Sequence, residues 1–358
     1  MKFRVGLLAI LSLILILRGS EAFAQDESKR SPAVTTGTLS PLKMRSIGPA
    51  LMSGRIADIA IDAKQPNTWY VAAGSGNLWK TINAGTTWKP IFERYGSYSI
   101  GCIALDPSDR DTLWVGTGEN VGGRHVGYGD GIYVSHDGGQ TFVNKGLKNS
   151  EHLSKIIIHP EDSQTLFVAS QGPLWSSGGE RGLYKSTDGG ATWRAVLTRG
   201  PWTGVTDVVM DPKNPNILFA ATHQRHRTVY GLINGGPESG IHKSVDGGET
   251  WVELKSGLPG ADKGKMSIAI SPQKSNVVYA AIELAGPTGG VWRSENGGHS
   301  WTKMSDYVAG GTGPHYYQEI EASPSDPDVV IQMDVFYQVT RDGGATFNYL
   351  ETGRSKHS

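Results

Sequence analysis

The sequence predicts an all-β protein, a β-propeller with six visible four-stranded blades, and three observations carry that prediction. The first is a repeated phrase. Residues 185–193 read KSTDGGATW and residues 243–251 read KSVDGGETW. Further copies are SHDGGQTF from Ser135, SENGGHSW from Ser294, TRDGGATF from Thr340 and the weaker TINAGTTW from Thr81. Their third positions are Asn83, Asp137, Asp188, Asp246, Asn296 and Asp342, spaced by 54, 51, 58, 50 and 46 residues. The second observation is that each phrase falls late in a unit of four short β-rich runs. The third is composition: 48 glycines and 18 prolines in 358 residues demand many tight turns and leave little room for long helices.

Taken from the N-terminus, the chain opens with Lys2 and Arg4, an apolar run from Val5 to Leu17, and the small-residue site Ala22-Phe23-Ala24. Thirteen apolar residues are short for a membrane span, which needs about 20. Residues 1–24 are therefore expected to be a secretory signal peptide, which predicts a secreted or periplasmic protein with no membrane span after cleavage. Residues 25–41 are polar and poor in aromatics, a flexible lead-in. A propeller is expected over 42–358, with blades at about 46–95, 96–150, 151–198, 199–256, 257–305 and 306–352. In the first blade, IADIAID, TWYVAA, LWKT and TTWKPIF are the four runs, separated by AKQPN, a short Gly turn and the phrase. The later blades repeat this as SIGCIALD-PSDRD-TLWVGTG, SKIIIHP-EDSQ-TLFVASQ, VTDVVMDP-KNPN-ILFAATH, MSIAISP-QKSN-VVYAAIE and EIEASP-SDPD-VVIQMD.

The phrase itself is expected at the hairpin between third and fourth strands. Its Asp or Asn oxygen accepts backbone N–H groups within the turn, its glycines adopt positive φ, and its Trp or Phe opens the outer strand. Asn83, Asp137, Asp188, Asp246, Asn296 and Asp342 are thus structural staples. Lys+Arg and Asp+Glu balance at 34 each, which gives no field to gather nucleic acid. Cys102 is the single cysteine, so no internal disulfide exists, and its apolar context marks it as a buried packing residue. No cofactor and no metal site is expected. HQRHR at 223–227 is the one dense His cluster, without an HExxH or Cys-His set beside it.

Strand alternation puts the first–second turns and the repeated phrase on one face. Second–third loops and blade connections lie on the other, where the longer insertions TGENVGGRHVGYGDG, SQGPLWSSGGERG and THQRHRTVYGLINGGPESG fall. That rim collects candidate ligand-binding residues Arg124, His125, Tyr128, Trp175, Arg181, Trp202, Arg225, Tyr230, His315, Tyr316 and Tyr317. Glu119, Asp130 and Glu180 are its candidate catalytic acids. Aromatic plates beside carboxylates and arginines suit a polysaccharide or an extended peptide.

On these residues the chain resembles Asp-box, or bacterial neuraminidase repeat, propellers of the sortilin N-terminal-domain and xyloglucanase-like secreted glycosyl-hydrolase-like family. The run from MRSIGPALMSGRIADIAID through SVDGGETW to HYYQEIEASP carries the resemblance over nearly all of residues 42–358. It implies a recognition module binding carbohydrate or peptide through the loop rim, or alternatively a glycoside hydrolase of the xyloglucanase type. The hydrolase expectation meets a departure. Members of that type carry an aspartate in the first blade's second–third loop, where this chain has Gly74 and Ser75, and their partner acid belongs to a second propeller. No arginine triad of a sialidase stands out, and the cysteine-rich module of a sorting receptor is missing. The resemblance further implies a truncated copy whose relatives continue into additional blades. Six blades then form an incomplete ring of seven or more, or close with residues 42–48 adding an edge strand to the last blade.

Overall fold

The computed structural model describes residues 54–285, 288–306, 319–333 and 336–350. The chain divides into two units, residues 1–48 and 49–358, and every described residue lies in the second. The signal peptide, the lead-in and the proposed edge strand at 42–48 lie outside the described residues. So do His315, Tyr316 and Tyr317.

Among the described residues there is no helix, and the strands form six antiparallel sheets, the blades of a β-propeller. Blade 1 comprises β1 (Ile56–Ile61), β2 (Trp69–Ala73), β3 (Asn77–Thr81) and β4 (Lys89–Pro90). Blade 2 comprises β5 (Ile100–Leu105), β6 (Leu113–Thr117), β7 (Ile132–Ser135) and β8 (Val143–Asn144), and blade 3 comprises β9 (Leu153–His159), β10 (Asp162–Ser170), β11 (Gly182–Ser186) and β12 (Arg194–Leu197). Blade 4 holds β13 (Thr203–Asp211), β14 (Asn214–Arg227), β15 (Leu232–Asn234), β16 (Gly240–Ser244) and β17 (Val252–Glu253). Blade 5 holds β18 (Lys263–Ile270), β19 (Val278–Leu284), β20 (Gly289–Ser294) and β21 (Thr302–Ser305); blade 6 holds β22 (Glu319–Ala322), β23 (Val330–Met333), β24 (Tyr337–Thr340) and β25 (Asn348–Tyr349).

Each blade is a meander in sequence order, and the second strand of blade 2 has both faces against protein. That is why Leu113–Thr117 is buried at every position, where a one-sided sheet would alternate. Inner strands β1, β5, β13 and β18 share a register shift near the same point, at Ile56/Asp58, Ile100/Cys102, Val205/Asp207 and Lys263/Met266. A bulge repeated at one place re-aims the following side chain alike in these four blades. The re-aimed groups latch neighbouring blades. Asp58 Oδ2 accepts the Ile103 N–H at 2.9 Å, Asp207 Oδ2 accepts that of Ile268 at 2.8 Å, and Ser267 Oγ accepts that of Ile320 at 3.0 Å.

Apolar cores fill the joints between successive blades. Tyr70, Leu78, Phe92 and Ile103 pack between blades 1 and 2; Trp114, Leu153 and Ile156 between 2 and 3. Phe167, Val208 and Leu218 pack between 3 and 4, Phe219, Ile268 and Trp301 between 4 and 5, and Tyr279, Val291 and Ile320 between 5 and 6. Five joints thus serve six blades among the described residues. One blade departs from four strands: β14 continues beyond its sheet and pairs with β15, raising a hairpin above blade 4.

Candidate functional site

The face carrying the repeated phrase is occupied by its own hydrogen bonds. Asp188 Oδ1 accepts the Ser186 hydroxyl at 2.8 Å and the Thr192 N–H at 2.9 Å, and Oδ2 accepts the Thr192 hydroxyl at 2.6 Å. Ser186 Oγ in turn accepts the Gly190 N–H at 2.9 Å. Asp137, Asp246 and Asp342 repeat the pattern. At Asn83 and Asn296 the amide oxygen accepts the same N–H, of Thr87 and Ser300, while Nδ2 donates to the hydroxyl that elsewhere donates. The Thr192 hydroxyl, its amide and Ser186 hold the Asp188 carboxyl at about 2, below the usual carboxylate value.

The turn also ties strands and blades together. The first phrase glycine donates its N–H to the first–second turn, from Gly138 to Asp111 O, Gly189 to Gln164 O and Gly247 to Asn216 O. Both turn types therefore share one face. Lys80, Lys185 and Lys243 reach across to the next repeated or adjoining phrase, donating to the Gly138, Gly247 and Gly297 carbonyls at 2.7 Å each. Each ammonium lies over an aromatic ring of its own blade, Tyr70, Phe167 or Phe219.

On the opposite face the long second–third loops bury a small core of their own. Val121 and Val126 from blade 2, Leu174 and Trp175 from blade 3 and Leu232 from the β14–β15 hairpin pack together. Trp175 is thus a packing residue of the loops. Two of the candidate cations are engaged in the same region. Arg181 Nε and Nη1 donate to the carbonyls of Gly178 and Gln171 at 2.7 and 2.8 Å, and Nη2 donates to those of Ser176 and Pro173. Arg225 is fully buried and donates to Val121 O and Gly172 O at 3.1 and 3.2 Å. Burial, then the neighbouring Arg181 charge, lowers its pKa to about 9. Trp202 is stacked against His226 at 3.8 Å between ring centroids, with Arg181 over its ring.

The candidate acids occupy three different settings. Glu119 is fully buried and paired with Arg55 through two bonds, Nε to Oε1 and Nη2 to Oε2, both 2.6 Å. Its backbone carbonyl faces His152 Nδ1 at 2.8 Å, and burial holds that imidazole well below its ordinary pKa and so neutral. Glu119 also explains Gly74: a Cβ there would lie 2.5 Å from its carboxyl carbon. Asp130 Oδ2 accepts the Tyr133 hydroxyl at 2.5 Å, and Glu180 Oε2 accepts the Asn149 N–H at 2.7 Å. A substrate reaching Glu119 would first have to displace Arg55.

What remains open on this face is aromatic. Tyr128 is 54% exposed and Tyr230, at the hairpin tip, 95%. Arg124 and His125 are exposed between them, and Arg124 Nη2 donates to Val229 O at 3.4 Å, joining the blade 2 loop to the hairpin. Tyr98, in the connection RYGSYS between blades 1 and 2, is 59% exposed beside Tyr128: Ser97 Oγ donates to Tyr128 O at 2.7 Å, and a Cβ on Gly127 would lie 3.2 Å from Tyr98 Oη. Sequence reasoning missed Tyr98 although it had placed blade connections on this face. It also missed Arg55, 64 residues from its partner.

Similarity to known proteins agrees with this architecture. A family model described as Sortilin, neurotensin receptor 3 (Sortilin-Vps10) matches residues 130–238. A xyloglucanase from Paenibacillus sp is 24% identical over 262 residues, covering 65% of this chain and 24% of that protein. A xyloglucanase from Hypocrea jecorina is 27% identical over 236 residues, covering 56% and 26%. The crystal structure of an ancestral GH74 enzyme matches with a TM-score of 0.61 at 18% identity, over 86% of this chain and 40% of that one. YCF48 from Cyanidioschyzon merolae matches with a TM-score of 0.50 at 15% identity, over 84% and 86%. The chain spans about a quarter of the length of these xyloglucanases. The structural likenesses show the propeller fold, and the matches together support a sortilin/xyloglucanase-like, glycoside-hydrolase-like propeller family.

Proposed function

We propose that this sortilin/xyloglucanase-like propeller is an exported recognition module that binds polysaccharide on its loop face. The observation that carries the reading is the set of exposed tyrosines, Tyr98, Tyr128 and Tyr230, on a face whose candidate acids are engaged in hydrogen bonds and an ion pair. Sugar rings present apolar faces that stack on such plates, and flanking polar groups such as Arg124 and His125 meet the hydroxyls. The xyloglucanase relatives make xyloglucan the first polysaccharide to try. Export rests on residues 1–24, and the propeller on residues 42–358.

Glycoside hydrolysis is the second reading, favoured by those relatives and by Asp130 and Glu180, which are partly exposed on the same face. Hydrolysis needs two carboxyl groups across one bond, about 5–9.5 Å apart. Titrating the mature chain with xyloglucan while following reducing-end release separates the two. Binding without new reducing ends, weakened about two- to tenfold by each of Tyr98→Ala, Tyr128→Ala and Tyr230→Ala, supports recognition. New reducing ends abolished by Asp130→Asn or Glu180→Gln would establish the hydrolase instead. Unchanged binding in all three tyrosine variants would remove the loop face from consideration.

A further inference from the structure

The inner strands share one position that is polar or charged in five of the six blades and is the core residue Cys102 in blade 2. Asp58, Cys102, Lys155, Asp207, Ser267 and Glu319 each stand four residues before the first–second turn residues Asp62, Asp106, His159, Asp211, Ser271 and Ser323. These strands surround the axis, and several of these side chains meet there. Lys155 of blade 3 lies 3.8 Å from Glu321 of blade 6 and also faces Asp207, Glu319 and Asp58. Lys155, Asp207, Glu319, Glu321 and a second lysine, Lys265, line one polar cavity of about 20 Å³. Lys155 and Glu321 also line a larger cavity of about 390 Å³, whose walls are mostly apolar, Ile157 and Val209 among them, with the Asp211 carboxylate, which accepts the Lys213 N–H, at the turn end. Pro160 and Pro212 of the first–second turns stand at that larger cavity, so it opens on the face carrying the repeated phrase, away from the tyrosines.

The volume and apolar lining suit a small organic group, and the charges at its inner end choose which. Four carboxylates, Asp58, Asp207, Glu319 and Glu321, stand against two ammonium groups, Lys155 and Lys265. Asp58 is engaged by the Ile59 and Ile103 amides, and Asp207 by that of Ile268. Glu321 differs. Among the described residues its ion-pair partner is Lys155 at a long 3.8 Å, and its side chain is more than half exposed. Burial, opposed by the lysines, raises the pKa of Glu319, and with four carboxylates against two ammonium groups the acids outnumber the bases. A carboxylate ligand would add to that excess, whereas a cation would relieve it. No group of three or more His, Cys, Asp or Glu among the described residues is placed to hold a metal ion.

We propose that the axial cavity binds an aliphatic primary ammonium, its chain against Ile157 and Val209 and its charged end on Glu321. The site is independent of polysaccharide binding on the loop face.

Calorimetric titration of the full chain with hexylammonium, hexanoate and hexan-1-ol tests this. Hexylammonium is expected to bind, and hexanoate and hexan-1-ol to bind more weakly. Glu321→Gln should weaken hexylammonium by roughly three- to tenfold, the range for a partly exposed ion pair, while leaving thermal unfolding unchanged. Lys155→Met should act in the opposite direction by removing a like charge, and because that variant risks misfolding, Glu321→Gln is the deciding arm. Replacing Tyr98, Tyr128 and Tyr230 by Ala should leave hexylammonium binding intact, which keeps failure here distinct from failure of the loop-face reading. Hexanoate or hexan-1-ol binding as tightly as the amine, no amine binding at millimolar concentration, or indifference to Glu321→Gln would each overturn the proposal.

Discussion

Glu119 lies so close to Gly74 that no side chain fits between them, and the two positions should therefore respond to mutation as a unit. Adding a carboxylate with Gly74→Asp forces two like charges and extra volume into a filled site, expected to cost roughly 1–3 kcal/mol. Glu119→Ala takes both carboxylate bonds from the half-buried Arg55 guanidinium, expected to cost about 2–3 kcal/mol, below the fully buried case because Arg55 keeps some solvent. The double variant gives Arg55 a new partner at position 74, so urea unfolding should show it at least about 1 kcal/mol more stable than the sum of the single effects. Strict additivity would mean that Glu119 does not occupy the space beside Gly74. Glu283 makes a second residue-scale case. Burial, partly opposed by the Lys265 amide and charge and by Asn234, raises its carboxyl to about 7. An acid whose folded pKa lies above its unfolded value destabilises as pH climbs from about 4.5 to about 7, then levels off. Glu283→Gln should leave stability unchanged at pH 4.5 and raise it by about 1–3 kcal/mol at pH 8, read from denaturation midpoints at both pH values. Neither residue's setting was legible in the sequence, because Arg55 is 64 positions from Glu119 and Asn234 is 49 from Glu283.

The repeated turn was legible because everything it needs is local. In the third copy Ser186, Asp188, Gly190 and Thr192 close the network within seven residues, so spacing alone encodes it. The β14–β15 hairpin was read as a loop for the opposite reason: its HQRHR stretch alternates no apolar face, and its one apolar anchor, Leu232, finds partners only in loops of two other blades. For the turn, the two Asn copies act as a natural control, since they keep the oxygen that accepts the backbone N–H. Asp137→Asn should therefore be nearly neutral, and Asp137→Ala should cost about 1 kcal/mol, because water replaces much of what an exposed turn loses. Protonation supplies a second test. Burial alone would raise Asp137, but the Thr141 and Ser135 hydroxyls and two amides outweigh it and hold it at about 2; Asp188 and Asp342 also stand at about 2. A carboxyl depressed in the folded state contributes stability that is complete above its unfolded value near 3.8 and is lost as pH falls toward 2. Replacing all four phrase aspartates by Asn should flatten the fall of the melting temperature between pH 4 and pH 2. An unchanged acid limb would assign that limb to other carboxylates.

At the scale of the molecule, the blades stack like repeats, each stabilised by what it buries against its neighbours. The inner-strand positions that face the preceding blade make this concrete. Ile103, Ile156, Val208, Ile268 and Ile320 are 0–6% exposed in blades 2 to 6, each inside one of the five joints. Their counterpart in blade 1, Ile59, is 50% exposed, and Ile61 beside it is 51% exposed. In the sequence these isoleucines have the same standing as the others, since a repeat pattern does not record which copy is left uncovered among the described residues. The difference has a thermodynamic consequence. Ile156→Ser should cost about 3–5 kcal/mol, through lost apolar burial, a cavity and a buried hydroxyl. The pair Ile59→Ser with Ile61→Ser should cost less than about 1 kcal/mol, because side chains already half in water have little burial to lose. An exposed apolar sheet face also favours association, so sedimentation should show the wild-type chain self-associating with concentration more than the double serine variant. If the serine pair instead destabilises the chain as strongly as Ile156→Ser, this face of blade 1 is covered in solution and a sixth joint completes the ring.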